Sequence, residues 1–224
     1  MPVNIDPNFS VYSLVKRVVG EETAVMNHRR TMNVISHEIE NATLLDGGHT
    51  RIFSSFQRMS KFIPQVERYR MIAQRAESVF VFGIPDVRPP EIPNVTYVEL
   101  SPDDHLSKEW FLVSYGRDFA SALATEELTD IDDPDRERMF EGIWTFEVSL
   151  ISILETWLTR VVDTRPLMVD ESDLNSVSQQ QHIVQILSRM EARTHREAVT
   201  MEDLQIQQEI TDIIEADVRP LATA

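Results

Sequence analysis

The chain has 224 residues, 42% of them hydrophobic, enough to bury a full core as one domain with a sizeable extension. A formal net charge of −16 makes nucleic acid and anionic membrane surfaces poor partners, because neutralising phosphates needs basic side chains. The absence of cysteine excludes disulfides, thiolate nucleophiles and Cys-ligated zinc.

In chain order, Ser10 is placed to cap a short helix carrying Val11, Leu14, Val15 and Val18, ended by Gly20. A second helix is predicted from Thr31, with Val34, Ile35, Ile39 and Ala42 at helical spacing and a stop at Asp46-Gly47-Gly48. Arg51 to Phe56 reads as a strand. Pro64 opens a third helix through Val66, Tyr69, Ile72 and Ala76. Val79 to Ile84 is a nearly continuous apolar run, the pattern of a strand covered on both faces.

A proline-rich link, Pro85 to Pro93, precedes an alternating strand over Val95 to Leu100. After the polar loop Ser101 to Lys108, Trp110 to Tyr115 predicts another strand. Phe119 to Leu123 fits a helix by its alanines, but the short connection at Gly116 favours a hairpin partner. The acidic run Glu126 to Asp135 is expected to be an exposed loop. A last short strand over Ile143 to Phe146 and a well-buried helix over Glu147 to Val162 follow. Beyond Asp163, amphipathic helices are predicted around Ile183 to Met190 and, after Thr200, around Leu204 to Ile214. They either fold back on the sheet or pair with another copy, so a homodimer through them stays open.

The fold class this implies is α/β: a layered sheet of five to six strands flanked by helices, with a C-terminal helical extension. The domains divide at 9–163 for the sheet domain and 164–224 for the acidic extension. The N-terminal MPVNIDPNF lacks the features of a signal peptide, and no apolar run is long enough to span a bilayer. A soluble cytoplasmic protein with no membrane insertion is the expectation.

Few residues point to a reaction. Ser36-His37-Glu38 looks like the phosphoacceptor box of sensor histidine kinases, yet no glycine-rich ATP lid follows, with glycine occurring only six times in the chain. His37 could then act only by accepting a phosphoryl group from a partner. Asn41 stands where an HExxH zinc site needs its second histidine. His105, near Asp103 and Asp104, and Glu109 supply carboxylate and imidazole chemistry for an alternative reading as a small enzyme. A polar loop of this kind is more often simply solvated.

Gln57, Asp86, Glu109, Trp110 and Trp144 lie at or near predicted strand ends, where open α/β sheets bind ligands. They form the candidate pocket, mostly apolar with a few polar groups to fix orientation. The competing reading makes Trp110 and Trp144 core anchors, and the usual packing of aromatics favours it.

Several stretches together resemble the DICT sensory domain family, named for diguanylate cyclases and two-component signalling proteins. They are Ser36-His37-Glu38-Ile39-Glu40, Phe56-Gln57, Val79 to Gly83 with Pro85-Asp86, Leu100 to Phe111, and Gly142 to Phe146. In order and spacing they cover most of residues 9–163. The resemblance implies a non-enzymatic sensor, commonly linked to light or other environmental responses. In that family the domain is often fused to GAF, kinase, cyclase or DNA-binding modules. No such module is expected beside it here, so the signal is expected to pass to signalling proteins, or arise from a small-molecule ligand, through protein contacts. The resemblance supplies no catalytic residue and no cofactor.

Overall fold

The computed structural model describes residues 5–20, 23–167, 169 and 171–196. The expected α/β layering is present, and the sheet has seven strands rather than five or six. The elements are α1 (Val11–Val19), β1 (Val25–His28), α2 (Arg29–Leu44), β2 (Arg51–Arg58), α3 (Met59–Phe62), α4 (Val66–Ala73), β3 (Ser78–Ile84), β4 (Val95–Glu99), β5 (Glu109–Tyr115), β6 (Ala120–Glu127), β7 (Met139–Thr145) and α5 (Val148–Val161). A further helix, α6, covers residues 176–196, and the expected helix after Thr200 lies outside the described residues.

The strand order is β1-β7-β6-β5-β2-β3-β4. β2, β3 and β4 run parallel, while every other neighbouring pair is antiparallel. The hairpin at Gly116 makes β6 the antiparallel neighbour of β5, which settles Phe119 to Leu123 for strand from Ala120 onward.

Alternation along the strands divides the core between two faces. Phe53, Phe82, Phe111 and Val113 pack with Val11, Tyr12 and Val15 of α1 and Leu150, Leu154 and Leu158 of α5. The opposite face carries Ser54, whose hydroxyl lies 2.8 Å from that of the buried Tyr69 on α4. α2 packs on the same side, burying Met32, Ile35 and Ile39.

Three differences from the sequence expectations have local causes. β1 has no alternation to announce it; its exposed Val25 and Met26 sit in a four-residue edge strand held by pairing to β7. The helix expected from Pro64 to Ala76 is α4, running from Val66 to Ala73: Pro64 lies in a 3-10 turn over Ile63–Gln65, which α3 precedes. β6 also continues through Glu126 and Glu127, residues whose acidity alone predicts a loop. Cross-strand pairing holds them there, with Glu126 opposite both Glu109 and Glu141.

Polar groups lock the layers together. Arg51 on β2 donates from Nη1 to Glu155 on α5 at 2.9 Å and to the Arg165 carbonyl at 2.6 Å. Burial raises the Glu155 carboxyl pKa, against the N–H of Leu167 and the Arg51 guanidinium. By its contacts the chain divides into residues 1–182 and 183–224. Within the first unit, Gln179 bonds both the N–H and the carbonyl of Ala120 at 2.8 Å, fixing the start of α6 beside the β5–β6 turn.

Candidate functional site

β2 ends in a β-bulge. Ser55 pairs with Phe82 and Arg58 with Ile84, so β2 spends three residues where β3 spends two. Gln57 takes up the extra length at φ 63°, a left-handed conformation uncommon for a side chain of this kind. Gly83 lies opposite: a Cβ there would come within 3.2 Å of the Arg58 carbonyl carbon and the Met59 nitrogen. The glycine thus lets the bulge approach β3.

The bulge turns the Gln57 side chain inward onto a buried ion pair. Arg138, whose side chain is 1% exposed, donates from Nε and Nη2 to the two oxygens of Glu127 at 2.6 and 2.7 Å. Its Nη2 also donates to Gln57 Oε1 at 2.6 Å. Gln57 in turn donates to Glu127 at 2.8 Å and to the Lys108 carbonyl at 3.3 Å. Each member satisfies the others, which is the condition for keeping charges inside a protein.

Gln57 is shared by two clefts beneath the acidic loop, residues 128–137. On one side lies an open groove of about 400 Å³, bordered by Arg58, Ile84, Pro102, Lys108, Glu127 and Asp130. On the other, the rings of Phe56 and Trp110 and the cations Arg29, Lys61 and Arg138 surround a narrow cleft with about 20 Å³ of free room, enough for one water. The Arg29 guanidinium lies 5.9 Å from the Trp110 ring centre, and Trp110 meets Phe140 edge-on at 5.6 Å.

Gln57 and Trp110 therefore border the same cleft. Asp86 is exposed and accepts from the Ser60 N–H at 2.9 Å and from the Ser60 hydroxyl, capping α3. Burial opposes its charge, but those hydrogen bonds prevail and hold its pKa below the usual value. Glu109 and Trp110, adjacent on β5, point to opposite faces. Trp144 shares the face of Trp110, but its register partner is Leu123 whereas that of Trp110 is Thr125, and its indole N–H donates to Ser121 at 2.9 Å.

On the α1 side, Glu109 is fully buried and serves the helix start. Its carboxyl accepts from the Val11 and Tyr12 N–H groups at 3.0 and 3.3 Å and is bonded to the Ser10 hydroxyl. Burial pushes its pKa up to about 8, with the hydrogen bonds pulling the other way. His105 Nε2 lies 3.7 Å from Glu109 and 3.5 Å from Glu126. His37 is half-buried on α2, with its carbonyl accepting from Arg68 at 3.0 Å.

Sequence reasoning missed Arg138, Glu127, Arg29 and Lys61. The nearest signal is the pair Arg136 and Arg138 closing an acid-rich stretch, where isolated bases invite a question about their partners. Among the described residues, no group of three or more His, Asp or Glu side chains is placed to hold a metal ion. No helix among them is long and apolar enough to cross a membrane.

Fold and site together define a mixed-sheet α/β domain with its crevices at strand ends, beneath a charged loop. The chain belongs to the DICT family, the sensory domain in diguanylate cyclases and two-component systems, which matches residues 8–128, more than half of its length. This places it among the sensory domains of signalling proteins. No curated protein matches the chain. Among solved structures, the crystal structure of a polyphosphate kinase from Porphyromonas gingivalis is similar at 14% identity and a TM-score of 0.36. The match covers 62% of this chain and 23% of that one, and so weak a likeness carries no argument.

Proposed function

We propose that this protein is a non-catalytic sensory domain that binds a small ligand at the strand-end crevice and relays the change to a partner protein by surface contacts. The observation that carries this reading is the groove of about 400 Å³ floored by Gln57 and Glu127. Its size is that of a metabolite site, and it lies beyond the carboxyl ends of β2 and β3, where α/β sheets receive ligands. The acidic loop above it joins β6 to β7 and is tied down by exposed ion pairs such as Arg58–Asp132 at 2.6 Å. Such pairs contribute under about 1 kcal/mol, so the loop can adopt a second arrangement at small cost, as a sensor requires.

The test is retention of a ligand by protein purified from its native host, read by mass spectrometry and absorbance. The native chain is expected to carry a small molecule that the Gln57→Ala variant loses. A folded variant retaining the same molecule in the same amount, or a native chain retaining none, would sink the reading.

Pairing of two copies through the C-terminal helix is proposed as well. α6 exposes Val177, Val184 and Leu187, spaced by seven and three residues along one helical face.

A further inference from the structure

We propose that the narrow cleft beside Trp110 receives a small aromatic carboxylate, and that Asp135 holds the carboxylate's place until the ligand arrives. This goes beyond the sensory reading above: the cleft is a second site, sharing Gln57 with the groove of about 400 Å³. Three cations converge on Asp135: Arg29 at 2.9 Å, and Lys61 and Arg138 each at 3.9 Å. Asp135 comes from the loop rather than the cleft wall, and its side chain is 58% exposed. Among the described residues, no carboxylate lines the cleft itself, in a chain with 37 acidic residues against 21 basic. That concentration of positive charge is a local exception to the field of the whole protein.

The cations also keep capacity in reserve. The Nε of Arg29 is buried and makes no hydrogen bond. Arg138 spends Nε and Nη2 on Glu127 and Gln57, leaving Nη1 on the side of Asp135. An incoming carboxylate can take the ion pairs Asp135 gives up, so the electrostatic balance changes little. A ring attached to it gains the apolar surface of Trp110 and Phe56, and that difference drives the exchange. The free room of about 20 Å³ means the exchange requires the loop to lift. Displacing Asp135 thereby converts ligand binding into release of residues 128–137, the event a partner can read.

The experiment titrates the full chain with 2-naphthoate, using 2-naphthamide as the uncharged analogue and inorganic phosphate as the anion without a ring. Calorimetry gives the affinities, and the Trp110 indole N–H and the amides of residues 130–136 are followed by NMR. Naphthoate is expected to shift both sets of signals, to bind about tenfold more tightly to Asp135→Asn, and to lose at least fivefold in affinity in Lys61→Gln. Naphthamide and phosphate are expected to bind at least tenfold more weakly than naphthoate. Equal naphthoate affinity in the native chain and Asp135→Asn overturns the proposal, as does naphthamide or phosphate binding as well as naphthoate. A host molecule lost in Gln57→Ala decides the sensory reading of the groove alone, so the two readings fail separately.

Discussion

Glu109 shows how burial turns an ordinary carboxyl into a pH-sensitive part of the fold. Its side chain closes the start of α1 through the Val11 and Tyr12 N–H groups, yet it lies wholly within the core, with His105 3.7 Å away and Glu126 opposite it in the strand register. The folded-state pKa of about 8 lies above the unfolded value of 4.5, so the folded chain keeps a proton that the unfolded chain releases between those values. Stability from this group is therefore full below about pH 4.5 and falls as pH rises to about 8, by at most about 1.4 kcal/mol per pH unit. Urea unfolding of the native chain from pH 5 to 8 is expected to show this decline, and Glu109→Gln, which keeps an acceptor for the helix start, is expected to remove it. An unchanged slope in the variant would refute the assignment. Glu109 was legible in the sequence as a polar residue beside Trp110, but alternation places the two on opposite faces, and a burial-driven shift becomes visible only when α1 packs over it.

The decisive element is the end of β2, where one extra residue re-aims a side chain. The bulge puts Gln57 at φ 63° and onto Arg138 and Glu127, and Gly83 on β3 supplies the clearance. Gly83→Ala is expected to destabilise the domain by about 1–3 kcal/mol, since its methyl meets backbone rather than a flexible side chain. It should also weaken naphthoate binding, because the shifted bulge carries Phe56 and Gln57 of the cleft wall. Thermal unfolding with calorimetry on the same variant checks both effects; a native midpoint with native binding would refute the role. The apolar run of β3 was readable, and so was the glycine near its end. The bulge was not, because it is a register shift between two strands and neither strand's own pattern encodes it. Similarly, Glu127 sat in an acidic run that reads as solvated until Arg138, eleven residues on, is seen against it.

For the whole molecule, a chain with formal charge −16 gathers three of its cations around one cleft and covers them with an aspartate from a loop. Assembly belongs to this scale. If copies pair through the exposed stripe on α6, the double variant Val184→Lys/Leu187→Lys is expected to sediment as a monomer at concentrations where the native chain is a dimer. Identical sedimentation of the two would remove the pairing proposal.

By itself the sequence determined the α/β class, the buried strand at Val79 to Ile84, the capped first helix and the family, because these depend on local periodicity, capping chemistry and motif order. Val79 to Ile84 could be little other than a buried strand, and Ser10 little other than a cap. Only the tertiary structure decided which polar residues meet. Arg29, Gln57, Lys61 and Arg138 are separated by up to 109 positions in the chain and come together through the strand order β7-β6-β5-β2 and the bulge at Gln57. Ion pairs and clefts arise from such long-range register, and no single stretch of residues carries that information.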